Sequence, residues 1–281
     1  MRCSKRIIRR LHLFLTISII GVFCLFVLVP IGWALSTSLK TPQGIMAPQI
    51  QIIPDPATMD NFSKLWKTGQ FSLFFKNSLF VSSVSVIFIL FMAICNGYAL
   101  SRYDFRGKGL FQFMLLGTQL LPLVIIIVPL FITFSKLHLT DSIWSLIFFN
   151  VVIQTPFNTL LMRGFVDGIP KTIDEAAKVD GANQGQVIFW VILPVIVPGI
   201  VATTAFAFIG CWNEFLIAFS FVQSKSNFTI PIGLKLLIGE FSVDYGTLAA
   251  GSLIALLPPL LLFSYIQKYL VQGMTAGAVK G

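Results

Sequence analysis

Six apolar stretches set the architecture of this chain, because each of them is long enough to cross a lipid bilayer as a helix. A membrane-spanning helix needs about 20 mainly apolar residues. None of the stretches shows the short alternating strands of a membrane β-barrel. The composition agrees, with 56% hydrophobic and only 11% charged residues. We therefore predict an all-α membrane protein with six transmembrane helices at residues 11–36, 74–100, 109–134, 143–162, 195–221 and 248–270.

The basic residues indicate the orientation of these helices. Lys and Arg are enriched in cytoplasmic loops, and placing both termini in the cytoplasm puts the larger share of the 20 Lys and Arg residues on that side. We expect a cytoplasmic N-terminus (residues 1–10), a transmembrane domain (residues 11–271) and a cytoplasmic tail (residues 272–281). The net charge of +9 is explained by basic residues that set the membrane topology, five of which precede the first span. We therefore predict no nucleic-acid partner.

One polar segment, residues 170–194, separates the fourth apolar stretch from the fifth. Thr172 is followed three residues later by Glu175, a spacing typical of a capping box at the start of a helix. Gly181 suits the left-handed position that ends many helices. The segment therefore predicts a short helix at residues 173–180, on the cytoplasmic side. A helix of this length is unstable alone in water, so it needs support from neighbouring residues.

The composition of this short helix indicates that it meets another protein. Ala176 and Ala177 make one side of the helix slim. A short helix with a slim side can enter a groove on a partner. A polar island in a membrane protein is also the natural contact for a soluble subunit.

Three amide side chains follow one face of the predicted fourth span. Asn150, Gln154 and Asn158 are spaced four residues apart, which places them on the same side of a helix. Amides that face lipid are unfavourable, so this face should point into the bundle. They either join helices through hydrogen bonds or line a polar path for a solute.

A second polar group lies near the end of the predicted fifth span, in the sequence W-N-E-F at residues 212–215. Glu214 is the one acidic residue inside a predicted span, and ionisable residues in spans are functional candidates. At about 1.5 Å per residue it lies near the outer boundary of the span. We interpret Trp212, Asn213 and Glu214 as structural or gating residues, with contact between Trp212 and a transported substrate as the alternative.

The polar segment also carries a specific resemblance. Residues 175–194 read E-A-A, three residues, G, nine residues, and V-I-L-P, which resembles the EAA motif of ABC importer permeases. With W-N-E-F and the tail G-M-T-A-G-A-V-K-G, the chain resembles the MalG-like carbohydrate permeases. The resemblance implies the type I ABC importer permease fold, in which an EAA loop at about residues 163–194 forms a cytoplasmic coupling helix.

The same resemblance implies partners and residue roles. It implies a complex with a second permease subunit in a heterodimer, two ABC ATPase subunits, an extracytoplasmic solute-binding protein and the lipids of a bacterial cell (inner) membrane. The coupling helix would dock in a cleft of the ATPase. The residues implied in coupling are Thr172, Glu175, Ala176, Ala177, Asp180, Gly181, Leu193 and Pro194.

The sequence predicts a transport subunit without enzymatic activity of its own. It contains no P-loop pattern G-x-x-x-x-G-K-[ST], so the energy must come from a partner. The four cysteines show no metal-binding spacing, and we predict no catalytic residues, cofactor or metal site. The alternatives are an importer permease for another solute, such as glycerol phosphate, and an ion-coupled secondary transporter.

Overall fold

The computed structural model describes residues 2–68, 70–239 and 242–278, with side chains from residue 12 to residue 269 except at positions 68, 69, 240 and 241. The fold consists of helices and connecting loops in the described residues. In chain order the helices are α1 (Arg2–Ser38), α2 (Pro42–Ile45), α3 (Asp60–Thr68), α4 (Phe71–Arg102), α5 (Lys108–Leu120), α6 (Leu123–Lys136), α7 (Ile143–Asp167), α8 (Lys171–Val179), α9 (Gln184–Gln186), a π-helix (Val187–Ile192), α10 (Leu193–Val195), α11 (Val197–Trp212), α12 (Leu216–Phe221), a 3₁₀ turn (Lys225–Asn227), α13 (Ile230–Leu236) and α14 (Tyr245–Ala278).

Five of these segments are long and apolar enough to cross a membrane: His12–Ser38, Phe71–Arg102, Ile143–Asp167, Val197–Phe221 and Tyr245–Tyr269. They agree with five of the six predicted spans. In the tail, the helical backbone continues to Ala278, and residues 279–281 lie outside the described residues.

The predicted third span is broken instead of continuous. Its two halves, α5 and α6, meet at an angle of 98°. The break lies at Leu121 and Pro122, both of which have extended backbone. Proline lacks a backbone N–H and disfavours the helical conformation of the residue before it, which explains why the helix ends here. Pro129, by contrast, is accommodated inside α6.

The chain divides into two compact units. The first contains Met1–Gln70 and Leu234–Leu256, and the second contains Phe71–Gly233 and Leu257–Gly281. In the first unit, the Asn61 amide donates hydrogen bonds to the backbone oxygens of Ser38 and Lys40, at 2.9 and 2.8 Å. These bonds attach α3 to the end of α1.

The centre of the second unit is the packing of α4 on α7, with α11 against both. Glycines allow the helices to approach closely, as is common among membrane helices. A β-carbon on Gly97 of α4 would lie 2.9 Å from the backbone nitrogen of Arg163 in α7. A β-carbon on Gly199 of α11 would lie only 2.5 Å from the ring of Phe165 in α7. This helix core supports the polar segment between α7 and α11.

Candidate coupling site

The helix predicted at residues 173–180 is present as α8, but it begins two residues earlier, at Lys171. Pro170 precedes it with extended backbone, and no side chain of the described residues caps the helix start. The predicted capping box of Thr172 and Glu175 is therefore wrong, because both residues already lie inside the helix. A capping box does occur further on, where Asn183 and Gln186 each accept a hydrogen bond from the other's backbone N–H, at 3.0 and 2.8 Å.

The end of α8 agrees with the sequence prediction. Gly181 has a φ of +87°, in the left-handed region that glycine adopts without strain. The N–H of Gly181 donates to the oxygen of Lys178, and the N–H of Ala182 donates to that of Ala177, both at 3.0 Å. This pair of bonds is a Schellman motif, which turns the chain sharply after Asp180.

The inward side of α8 carries a buried acid that is bonded to α4. Asp174 accepts a hydrogen bond from the Tyr98 hydroxyl, with 2.7 Å between the oxygens. Its second carboxylate oxygen lies 3.0 Å from Nε of Arg102, and the two side chains are only 6% and 7% exposed. The Gln184 amide, beyond the turn, donates to the Tyr98 hydroxyl at 2.8 Å. We call Tyr98, Arg102, Asp174 and Gln184 the clamp.

Arg102 extends this network to the end of α7. Its Nη2 donates to the backbone oxygen of Ile169 at 3.1 Å, and its Nη1 lies 3.3 Å from the Ser101 hydroxyl. Ser101 in turn donates to Asp167 at 2.5 Å. Asp167 also pairs with Arg163, at 3.2 Å. One guanidinium therefore bonds to α8, to α4 and to the residue before Pro170.

Sequence reasoning did not identify the clamp, although one signal was available. Asp174 lies three residues before Ala177, so the two share the inward face of α8. A charge on an inward face needs an oppositely charged or hydrogen-bonding partner. Arg102 and Tyr98 are spaced four residues apart at the end of the second span, which makes them suitable partners.

The apolar side of α8 rests on a hydrophobic cluster. Ile173, Ala177 and Leu193 are partly buried against it. Ala177 therefore packs inward, and of the two alanines only Ala176 is exposed. The predicted slim side of α8 therefore contributes one exposed alanine, Ala176, and not two. The cluster consists of Ala93, Tyr98, Met162, Val166, Ile169, Val187, Ile192 and Ile196.

The outward side of this site is formed by the other residues implied in coupling. The exposed members are Thr172, Glu175, Ala176, Asp180, Gly181 and Pro194. An open groove of about 310 Å³ lies beside the Schellman turn, and Trp190 forms one wall of it with 81% of its surface exposed. The surface therefore offers an acid, a small residue and an aromatic side chain within one segment.

The amide face of α7 points into the helix core, as predicted. Asn150 and Asn158 are buried, and Gln154 packs against Gly210 of α11. The side-chain nitrogens of Asn150 and Asn158 donate to carbonyls of α7 itself, at 3.0 and 2.7 Å. These two bonds do not join helices. The Asn158 oxygen has no hydrogen-bond partner in the described part of the chain.

The residues around Glu214 lie at a break between α11 and α12. Trp212 is 3% exposed and stacks on Phe208, with ring centroids 5.6 Å apart. The Glu214 carboxylate accepts hydrogen bonds from the N–H groups of Ile217 and Ala218, at 2.6 and 3.0 Å. It thereby caps α12. This geometry favours the structural interpretation of Trp212 and Glu214, whereas Asn213 is exposed.

Comparison with known proteins decides the family. The family described as binding-protein-dependent transport system inner membrane component matches residues 85–276, more than half of the chain. The chain belongs to this family. The permease is therefore a multi-pass inner-membrane transport subunit, and the resemblance in the sequence is confirmed.

Curated relatives of the permease match along nearly its whole length. It is 33% identical over 271 residues to the arabinooligosaccharides transport system permease protein AraQ of Halalkalibacterium halodurans, covering 95% of this chain and 94% of that protein. It is 31% identical over 268 residues to the sulfoquinovosyl glycerol transport system permease protein SmoH of Agrobacterium fabrum, covering 95% and 93%. The diacetylchitobiose uptake system permease protein DasC of Streptomyces coelicolor is 32% identical over 253 residues, with coverage of 90% and 91%.

A solved structure shares the fold of the permease. A chain of a bacterial ABC transporter involved in the import of the acidic polysaccharide alginate superposes with a TM-score of 0.80. The match covers 92% of this chain and 96% of that chain, at 22% sequence identity. The predicted type I ABC importer permease fold is confirmed.

Proposed function

We propose that this permease is one half of the translocation pathway of an ATP-driven, binding-protein-dependent sugar importer. The similar proteins AraQ, SmoH and DasC are named for sugar-containing solutes, and this supports a sugar substrate. The second permease subunit, two ABC ATPase subunits and an extracytoplasmic binding protein complete the importer. Both termini lie in the cytoplasm, because this orientation places most Lys and Arg residues there.

One observation carries the coupling role: α8 is held firmly on its inner side and is exposed on its outer side. The inner side has the buried Asp174 and the hydrophobic cluster. The outer side presents Glu175 and Ala176, which we propose as the docking surface for the ATPase. Gly181 provides the turn after the helix, and Leu193 with Pro194 leads the chain into α11.

The residues proposed for the path and gate have different roles within the bundle. Asn150, Gln154 and Asn158 maintain a polar face on α7 in the helix core. Trp212 and Glu214 fix the break between α11 and α12. Asn213 is exposed at this break, and we propose that it contacts the passing solute.

Affinity purification from native membranes tests the proposed function. A tagged copy of the chain, extracted in a mild detergent, should retain a second permease and an ABC ATPase, and the mixture should hydrolyse ATP. Mass spectrometry of the retained proteins identifies them. The absence of any ATPase from a well-folded preparation would contradict the proposal.

Bulky substitution of Ala176 tests the docking surface directly. Ala176→Trp places a large side chain on the exposed face and should prevent ATPase co-purification, because a groove that accepts a methyl group excludes an indole. Since Ala176 is outside the hydrophobic cluster, membrane insertion and detergent stability should not change. The matched control is Arg106→Trp, at an exposed position in the loop before α5. Equal ATPase recovery from the two variants would remove Ala176 from the interface.

A further inference from the structure

The structure attaches α8 to the rest of its unit in two different ways. The hydrophobic cluster contacts α8 through Ile173 and Ala177, and apolar contacts of this kind have no preferred direction. Within the clamp, Asp174 instead accepts charge-assisted hydrogen bonds from Tyr98 and Arg102. The strength of such bonds depends strongly on distance and angle. The clamp therefore defines the position of α8 relative to one particular helix, α4.

The helix α4 also bonds to a loop at its other end, near Asn77. The Asn77 amide donates to the backbone oxygens of Ser226 and Phe228 in the loop before α13, at 2.8 and 2.9 Å. Ser78 accepts the N–H of Ile230 at 2.8 Å. Asn77 and Arg102 are separated by about 38 Å along a helix that rises 1.5 Å per residue. One continuous helix thus connects α8 to a loop at the opposite end of its unit.

We propose that Asp174 is a positioning residue that makes α8 and the Arg102 end of α4 move as one rigid body. Movement imposed on α8 then enters the bundle through the second span and reaches the 226–230 loop along α4. The hydrophobic cluster supports α8 without determining its register. This inference rests on the proposed function, because it requires a partner that moves α8.

Pulsed electron paramagnetic resonance measures this rigidity. One spin label replaces exposed Lys178 on α8 and another replaces Met92 on α4, which is 41% exposed. The four native cysteines are replaced first. The complex is purified with its ATPase and compared without nucleotide and after trapping with ATP, Mg²⁺ and vanadate. The clamp predicts one narrow distance distribution that is the same in both states.

Two variants remove the clamp in different ways. Asp174→Asn removes the charge but leaves Arg102 buried without its counter-charge, so it can impair folding. The double variant Arg102→Met with Asp174→Leu removes both charges together and avoids that penalty. In each folded variant the distribution should broaden or shift by about 2 Å or more, the scale of helix shifts in switching proteins.

Asp104→Asn is the matched control. It removes the ion pair between Asp104 and Lys108, whose charged atoms are 2.8 Å apart just beyond the end of α4. The Asp104 side chain is 89% exposed, so this ion pair is not buried. This variant should retain the wild-type distribution. If Asp174→Asn does not assemble, the distance distribution of the double variant tests the proposal.

The possible results distinguish a failure of the clamp proposal from a failure of the proposed function. A wild-type distance that changes between the two states, or a double variant with the wild-type distribution, would overturn the clamp. If no ATPase accompanies the wild-type chain, the proposed function fails. The nucleotide-free comparison of the wild type with the double variant then still decides whether the clamp holds α8 to α4.

Discussion

The two ends of α4 are held by different chemistry. At the Arg102 end, the central contact is a buried ion pair between two side chains, Arg102 and Asp174. At the opposite end, the neutral side chains of Asn77 and Ser78 bind the backbone of the 226–230 loop. The charged end requires specific residues at both positions. The neutral end requires only that the loop backbone passes close to α4, whatever side chains the loop carries.

This difference has an energetic consequence. A buried charge that loses its partner is much less favourable than a neutral group that loses a hydrogen bond. The Arg102 end should therefore be sensitive to single substitutions and tolerant of paired ones. The Asn77 end should show smaller effects.

The largest effect is expected from Arg102→Met. This substitution leaves the Asp174 carboxylate buried with only the Tyr98 hydroxyl, and it should lower the free energy of unfolding by about 3 to 5 kcal/mol. Thermal unfolding in detergent measures the loss. Adding Asp174→Leu should restore most of the stability, because no unpaired charge remains. A double variant as unstable as Arg102→Met would show that the ion pair is not the cause.

A smaller effect is expected from Asn77→Leu at the opposite end. The variant has a similar volume but cannot donate to Ser226 and Phe228, so two carbonyls lose their partner. The free energy of unfolding should fall by about 1 to 3 kcal/mol, measured in the same thermal assay. A loss larger than that of Arg102→Met would reverse the comparison between the two ends.

The smallest effect on stability is expected from Asp141, whose carboxylate binds the chain just before the 226–230 loop. It accepts hydrogen bonds from the backbone N–H groups of Gln223 and Ser224, at 3.0 and 2.8 Å, and from the Ser224 hydroxyl. Partial burial acts to raise the pKa of Asp141, but the hydrogen bonds from Ser224 and Gln223 outweigh it and hold the pKa below its ordinary value.

The sign of the pH dependence follows from this shift. A carboxylate with a lowered pKa stabilises the folded state above its unfolded pKa of about 3.9, and this contribution is lost as the pH falls through the folded value. Amide protection at Gln223 and Ser224 should therefore decrease below about pH 4, measured by hydrogen exchange and corrected for the intrinsic rate. Asp141→Asn should show lower protection at neutral pH and no such step. A wild-type protein without the step would contradict this assignment.

Much of the fold was predictable from local patterns. Five spans could be located from apolar length alone, whereas the third span is broken at Leu121 and Pro122. Gly181 was recognisable as the end of α8, because a left-handed residue after a short helix is strongly selective for glycine. These features depend on residues that are close together in sequence.

Other features could not be predicted because they depend on distant residues. Arg102 and Asp174 are separated by 72 positions, and no periodicity links them. The start of α8 was assigned to the wrong residue because Thr172 and Glu175 match a capping box, while Pro170 already sets the extended backbone needed before the helix. Glu214 was recognised as unusual, but its capping of α12 depends on a break that the apolar pattern does not show.

The sequence by itself determined that this chain is a helical membrane permease with a polar, glycine-terminated helix between its fourth and fifth spans. Hydrophobic length, basic-residue placement and turn chemistry are local properties, and the family motifs follow the same short segments. Only the tertiary structure decided which side of that helix is held and which side is free. The inward position of Asp174 is set by the packing of α8 against α4, and a buried carboxylate has to find its cation wherever the fold brings one close.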